Sequence, residues 1–219
     1  MAEINIRLDI EYKGTDFSGW QFQPRERTIQ DEIEKALKSV TGQKIALTGA
    51  GRTDAGVHAL GQVANFKIDH YLPPEKYKEA INFYLPRTIL VTKSAPVAID
   101  FNARRSALSR HYRYIIDRQK SALYYEYRWE YPSPLVPARM IDASVLVIGR
   151  HNCAALCTVA SQKENSDCEI YTCEWHEDDS LLVFDIKANR FLHSMVRSLV
   201  GLMVELGKDK DYLTLEEFK

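Results

Sequence analysis

The order in which two hydrophobic periods alternate along the chain limits its fold more than any other feature. Ile4, Ile6, Leu8, Ile10 and Tyr12 recur at every second residue, the pattern of a strand with one buried face. Residues 14–24 read as loop. Thr28 then stands as an N-cap before Ile29, Ile33, Ala36, Leu37 and Val40, which recur at helical spacing until Gly42 stops them. Short strands are expected at 44–48 and 62–68. Pro73-Pro74 opens a second helix through Tyr77, Ala80, Ile81 and Tyr84 that ends near Pro86, and a strand begins at 89–91. The order β-α-β-β-α-β is that of the ferredoxin-like split unit.

The second half begins in the same way. Residues 108–117 predict a long strand, followed by a loop punctuated by Pro132, Pro134 and Pro137. A helix is expected at 140–148 and an antiparallel pair at 169–175 and 181–187, joined by the turn Glu177-Asp178-Asp179-Ser180. Residues 190–206 predict an apolar helix stopped by Gly207, with Phe191, Met195, Leu199 and Leu202 as its core stripe. The remaining residues are short and polar, so this half is expected to lack a closing strand. The fold class is therefore α+β. Two ferredoxin-like lobes, residues 1–105 and 106–219, are expected to carry antiparallel sheets that flank a central cleft where ligands sit.

Composition removes several functional classes. Of 219 residues, 45% are hydrophobic and 27% charged, which excludes disordered and fibrous chains. No apolar run reaches the ~18 residues of a membrane span, and the N-terminus reads as no secretory signal. All four Cys fall between Cys153 and Cys173, which argues against a disulfide framework. A cytoplasmic, soluble protein is expected. The formal net charge of −1 argues against a non-specific polyanion binder. Charge is nevertheless polarised: Arg104, Arg105, Arg110, Arg113, Arg118 and Lys120 stand against Asp117 alone, with His111, Tyr112 and Tyr114 interleaved. That stretch reads either as a solvated strand face or as a phosphate-binding stripe.

The most unusual segment runs from Thr48 to Ala59. Gly49, Gly51 and Gly56 surround Arg52 and Asp54, marking a tight loop where backbone approaches a ligand. It is no phosphate cradle, because it lacks a Gly-Lys-[Ser/Thr] ending and puts Asp54 where a dinucleotide fingerprint needs glycine. What remains is an aspartate on a turn, two residues from a guanidinium, able to act as nucleophile or acid/base at a sugar C1′. An Asx-turn is the structural alternative. Asp54 with His58 offers a metal only two ligands, and Cys153, Cys157, Cys168 and Cys173 lack paired zinc-knuckle spacing. Arg197 lies among apolar residues of its helix, so it is either a surface residue or a buried cation needing a carboxylate; Asp54 is the first candidate.

Three stretches together resemble the tRNA pseudouridine synthase A family: Gly51-Arg52-Thr53-Asp54-Ala55-Gly56-Val57-His58, Arg110-His111-Tyr112-Arg113-Tyr114-Ile115-Ile116, and Asp185-Ile186-Lys187-Ala188-Asn189 through Met195-Val196-Arg197. Glu11-Tyr12-Lys13-Gly14, Gly19-Trp20-Gln21 and Gly61-Gln62-Val63 share the resemblance, which spans about residues 4 to 206. It implies isomerisation of uridine to pseudouridine in the anticodon arm of tRNA, without cofactor or metal. Asp54 matches the catalytic aspartate and Arg52 the arginine that helps displace the target nucleotide. Tyr112 matches the active-site tyrosine, and Arg197 the arginine paired with the aspartate; His58 and Arg110 are added as substrate-binding residues. The resemblance also implies a homodimer bridged by tRNA. The chain departs from the family pattern at Asn152-Cys153, where Asp-Phe is usual, and at Asn102, where His is usual. The absence of a closing strand leaves a second expectation standing, a tRNA-binding or tRNA-folding module with impaired catalysis.

Overall fold

The computed structural model describes residues 3–69, 72–157, 166–208 and 214–218. The chain divides into two compact units, Met1–Ala107 and Leu108–Lys219. In the first, strand β1 (Glu3–Tyr12) precedes helix α1 (Ile29–Thr41), strands β2 (Thr48–Gly49) and β3 (Ala59–Asp69), helix α2 (Tyr77–Tyr84) and strand β4 (Ile89–Val97). The sheet order is β2-β3-β1-β4, with every pairing antiparallel. This is the ferredoxin-like arrangement that the order of elements predicts.

Alternation decides which face of this sheet is covered. Ile6, Leu8 and Ile10 of β1 and Ala64, Phe66 and Ile68 of β3 are buried in one cluster with Ile29, Ile33, Ala36 and Leu37 of α1 and Ile81 of α2. Helix α1 begins where the Thr28 hydroxyl accepts from the Asp31 amide at 3.4 Å. It ends where Gly42 takes φ 71° and donates its N–H to Lys38 O at 2.8 Å.

The strand expected over 44–48 forms only at Thr48–Gly49, for a visible reason. The Leu47 N–H donates to Glu34 Oε1 at 2.9 Å and its carbonyl accepts from Gln30 Nε2 at 3.2 Å. With both backbone groups bonded to α1 side chains, no ladder passes through residue 47. On the open face, buried Asn5 and Asn65 hold the segment leaving β4. Asn5 Nδ2 donates to Ala98 O at 3.0 Å and Phe101 O at 2.9 Å, Asn65 Nδ2 donates to Asn5 Oδ1 at 2.9 Å, and the Ala103 N–H donates to Asn65 Oδ1 at 2.8 Å.

The second unit contains β5 (Arg110–Asp117), β6 (Trp129–Glu130), α3 (Pro137–Leu146), β7 (Gly149–Asn152), β8 (Asp167–Asp178), β9 (Leu181–Ala188), α4 (Met195–Gly207) and α5 (Leu215–Phe218). Its sheet order is β6-β5-β9-β8-β7, antiparallel except for the parallel β5–β6 pair. No closing strand is expected in this half; one edge of β5 is covered in part by β6, which pairs Trp129 with Ile116 and Glu130 with Asp117. This strand comes from the loop after β5. Asp117 fixes that loop: buried, it accepts from Arg128 Nη1 at 3.0 Å, from the Gln119 amide at 3.0 Å and from Ser180 Oγ at 3.0 Å. Burial alone would raise the Asp117 carboxyl, but these donors outweigh it and hold the group below the usual carboxylate range.

Helix α4 starts at Met195, five residues later than its apolar pattern suggests. Asn189 is bonded to β8 through both its amide and its Oδ1, each 3.0 Å from its Glu169 partner atom, and its carbonyl accepts from Arg110 Nη1 at 2.8 Å. Ser194 then takes φ 62° before the helix begins. The buried stripe is consequently Met195, Leu199, Val200, Met203 and Val204, while Leu202 is 39% exposed and Phe191 half-buried.

Candidate active site

In the first unit, the loop between β2 and β3 is held from several sides by β1 and the segment that follows it. The Trp20 N–H donates to Thr53 O at 3.1 Å, the Gly56 N–H to Phe17 O at 3.3 Å, and the Gly14 N–H to His58 Nδ1 at 3.1 Å. Tyr12 Oη lies 2.8 Å from Thr53 Oγ1, and Gln62 Nε2 donates to Gly51 O at 2.9 Å. Asp54 sits half-buried inside this frame and Arg52 is exposed. The Val57 N–H donates to the Asp54 carbonyl at 3.3 Å, closing a turn across Ala55-Gly56.

Three glycines allow this approach. A Cβ on Gly14 would stand 2.0 Å from Val57 O, one on Gly19 2.6 Å from Thr53 O, and one on Gly49 2.6 Å from the Trp20 indole. The loop is therefore pressed against its supports at van der Waals contact, which fixes its backbone before any ligand arrives. His58 accepts the Gly14 amide through Nδ1, so its Nε2 carries the ring proton in the neutral form.

In the second unit, Tyr112 and Tyr114 extend from β5 on the face that packs toward α4. Tyr112 meets Phe191 edge-on with ring centroids 5.1 Å apart, and Tyr114 meets Trp129 at 6.2 Å. Arg197 is exposed on α4, in place of the buried cation among apolar neighbours that the sequence left open. It lines a cavity of about 320 Å³ together with Tyr114, Trp129, Ser194, Ser198 and Gly201. Burial raises the Tyr114 phenol, and the Arg197 charge partly opposes that rise.

The basic stretch beginning at Arg104 is not one continuous stripe. Arg110 donates to Asn189 O, Arg113 holds Asp185 through two bonds of 3.0 and 2.9 Å, and Arg118 pairs with Glu177 at 2.9 Å. Most of its guanidiniums thus bind groups within the second unit. Asp185 also meets His111 Nε2 at 2.8 Å. Burial pushes its carboxyl up, but Arg113 and His111 prevail and hold it below the usual range.

The four cysteines are free. Cys153, Cys168 and Cys173 are buried in the core cluster, where burial pushes the Cys173 thiol up to about 12. The hydrogen bond to Cys168, together with burial, raises Cys153. Among the described residues no three His, Cys, Asp or Glu side chains converge as a metal site.

Sequence reasoning passed over Tyr12, Trp20 and Gln62 as individual site residues, although all three lie within short stretches that carry the family resemblance. Their role is to hold the Asp54 loop, and no local pattern announces a contact made across a sheet. Tyr114 and Trp129 were likewise missed as cavity-lining residues. The period-two step from Tyr112 gave the face of Tyr114, but nothing local placed Trp129 beside it.

Comparison with known proteins shows the family of the chain. The family described as tRNA pseudouridine synthase matches residues 10–104 and 143–215. The chain is 44% identical over 207 residues to the tRNA pseudouridine synthase A of Chlorobium limicola, covering 94% of this chain and 85% of that protein. The enzyme of the same name from Brachyspira hyodysenteriae is 40% identical over 210 residues, covering 94% and 84%. That from Rippkaea orientalis is 41% identical over 216 residues, covering 97% and 73%. With the Asp54 loop, the ferredoxin-like first unit and these matches in hand, the chain belongs to the tRNA pseudouridine synthase family.

Proposed function

We propose that this protein isomerises uridine to pseudouridine in the anticodon stem-loop of tRNA, with Asp54 as its catalytic carboxylate. The observation that carries this reading is the loop itself: Tyr12, Trp20, Gln62 and the close-packed glycines hold the backbone around Asp54 in one geometry. A carboxylate carried on a backbone fixed in this way needs little rearrangement of its loop when charge develops on a reacting sugar.

The reaction breaks the N1–C1′ bond, turns the uracil, and joins C5 to C1′; N1 gains a proton and C5 loses one. Asp54 serves either by attacking C1′ or by taking a sugar proton, and both routes regenerate the carboxylate. Hydrolysis of a glycosidic bond commonly uses two carboxylates, one of which activates water. Isomerisation needs none activated. The target base must leave its stack, at a cost of about a few kcal/mol. Arg52, exposed on the loop, is assigned to the space the nucleotide vacates, and Tyr112 to stacking on the base. His58 and Arg110 complete the proposed substrate-binding set. Family resemblance adds Arg197 to the substrate-binding set and implies a homodimer as the active assembly.

Release of tritium from tRNA labelled at uridine C5 tests this reading. Wild-type protein is expected to release label and Asp54→Ala to release none. Equal release by both overturns the assignment, and tRNA binding without any pseudouridine by mass spectrometry would identify a binding module instead.

A further inference from the structure

Arg105 belongs to the basic stretch, yet it lies in the first unit, whereas Arg110, Arg113 and Arg118 lie in the second and bind acceptors there. It lines a cleft of about 530 Å³ on that unit, between the segment 43–48 and the segment 99–106. Lys44 and Lys67 line the same cleft from two other stretches of chain, and Asp100 is the one carboxylate among its lining residues. Lys44 and Arg105 are exposed, and neither side chain has a hydrogen bond or ion pair among the described residues. Among the described residues, Lys67 is paired with the exposed Glu3 at 3.6 Å. Three cations from separate segments thus face one opening, opposed by Asp100 in its lining and by Glu3 beside Lys67.

The walls of this cleft are built. Asn5 and Asn65 pin the 98–103 segment to the sheet, and the Asn102 side chain accepts the Arg104 and Arg105 amides, each at 3.1 Å. Leu47 is fixed to α1 on the opposite wall. The cleft also has a defined reach to the Asp54 loop. Strand β3 carries Gln62, which grips Gly51 of that loop, and Lys67 lies five residues farther along the same strand. At roughly 3.4 Å per residue the separation is about 17 Å, the span of a few nucleotides of backbone.

We infer that this cleft binds the phosphodiester backbone of the substrate RNA a few nucleotides from the uridine presented to Asp54. The inference rests on the proposed function for the identity of the RNA. Two unpaired cations with mobile stems suit phosphate oxygens, which are contacted without regard to sequence. The cleft therefore positions the RNA and contributes affinity, while chemistry stays at the Asp54 loop.

The test compares wild type with the double variants Lys44→Gln/Arg105→Gln and Lys44→Glu/Arg105→Glu, each shown to melt like the wild type. With transcribed tRNA as substrate, KM is expected to rise about tenfold for the charge reversal and less for the neutral pair. The value of kcat at saturating tRNA stays unchanged. In an Asp54→Ala background, the slope of log affinity against log salt becomes shallower by about 0.7–0.9 for each lost contact. Unchanged KM and unchanged slope in both folded variants overturn the inference. Its failure is distinguishable from failure of the enzymatic reading: absence of pseudouridine with wild type removes the latter, and the salt slope still decides the cleft.

Discussion

Tyr12 Oη lies 2.8 Å from the hydroxyl of Thr53, the residue immediately before Asp54. Tyr12 closes β1 and is 3% exposed, so a core strand end carries a direct bond into the candidate site. Its ring also lies 6.0 Å from that of Trp20, whose amide holds the Thr53 carbonyl. Loop position and core packing are thus one mechanical unit.

Tyr12→Phe keeps the ring and removes the hydroxyl that bonds Thr53. The expected loss of stability is about 1 kcal/mol, measured by urea unfolding. Turnover should fall by more than that loss of folded protein explains, because the loop loses one of its fixings. Unaltered turnover in the folded variant would show that Thr53 needs no such restraint.

Gly49→Ala and Gly19→Ala probe the close approach. The new Cβ on Gly49 meets the Trp20 ring at 2.6 Å, and that on Gly19 meets Thr53 O at 2.6 Å with φ at +87°. Both are expected to destabilise by about 1–3 kcal/mol and to lower activity. Gly51→Ala is the control, since its Cβ would meet nothing within 4 Å. A Gly51→Ala variant as unstable as the other two would refute the packing argument.

Asp117 sets a pH limit on the second unit. Its folded pKa is depressed, so the stability it contributes is fully present above the ordinary aspartate value near ~3.9 and is lost as pH falls through the folded value. Arg128→Ala leaves a buried carboxylate without its cation and is expected to cost about 3 kcal/mol or more. Thermal melts between acid and neutral pH check both points, with the acid-side loss of stability smaller in Asp117→Asn than in wild type.

Asn65→Leu removes the acceptor for the Ala103 N–H and the donor to Asn5 at the buried centre of the first unit's open face. An expected loss of about 2–4 kcal/mol follows from the stranded backbone and amide groups. Hydrogen exchange should rise first at Ala103, ahead of the β1 and β3 amides. Uniform exchange across the unit would argue that Asn65 does not pin that segment.

Much of the fold could be read directly. The alternation at Ile4–Tyr12 and the capped stripe from Ile29 to Leu37 report local burial, and local burial is what a periodic sequence encodes. Limits appeared where distant groups compete for the same backbone. Gln30 and Glu34 take the Leu47 amide and carbonyl, shortening a strand, and Asn189 ties two strands together, delaying α4 to Met195. The Asp54 loop was conspicuous for its glycines and charges, whereas its supports at Tyr12 and Gln62 were not, because a tyrosine or glutamine in a strand usually has only a packing role.

By itself the sequence determined the order of elements in the first unit, the buried faces of β1 and α1, and the residue types gathered around Asp54. Those properties depend on spacing along one chain. Tertiary structure decided which arginines of the basic stretch are engaged, how the β5 edge is covered, and which side chains fix the Asp54 loop. Each of these is a choice of hydrogen-bond partner between residues far apart in sequence, settled only when folding removes water and every buried donor must find an acceptor.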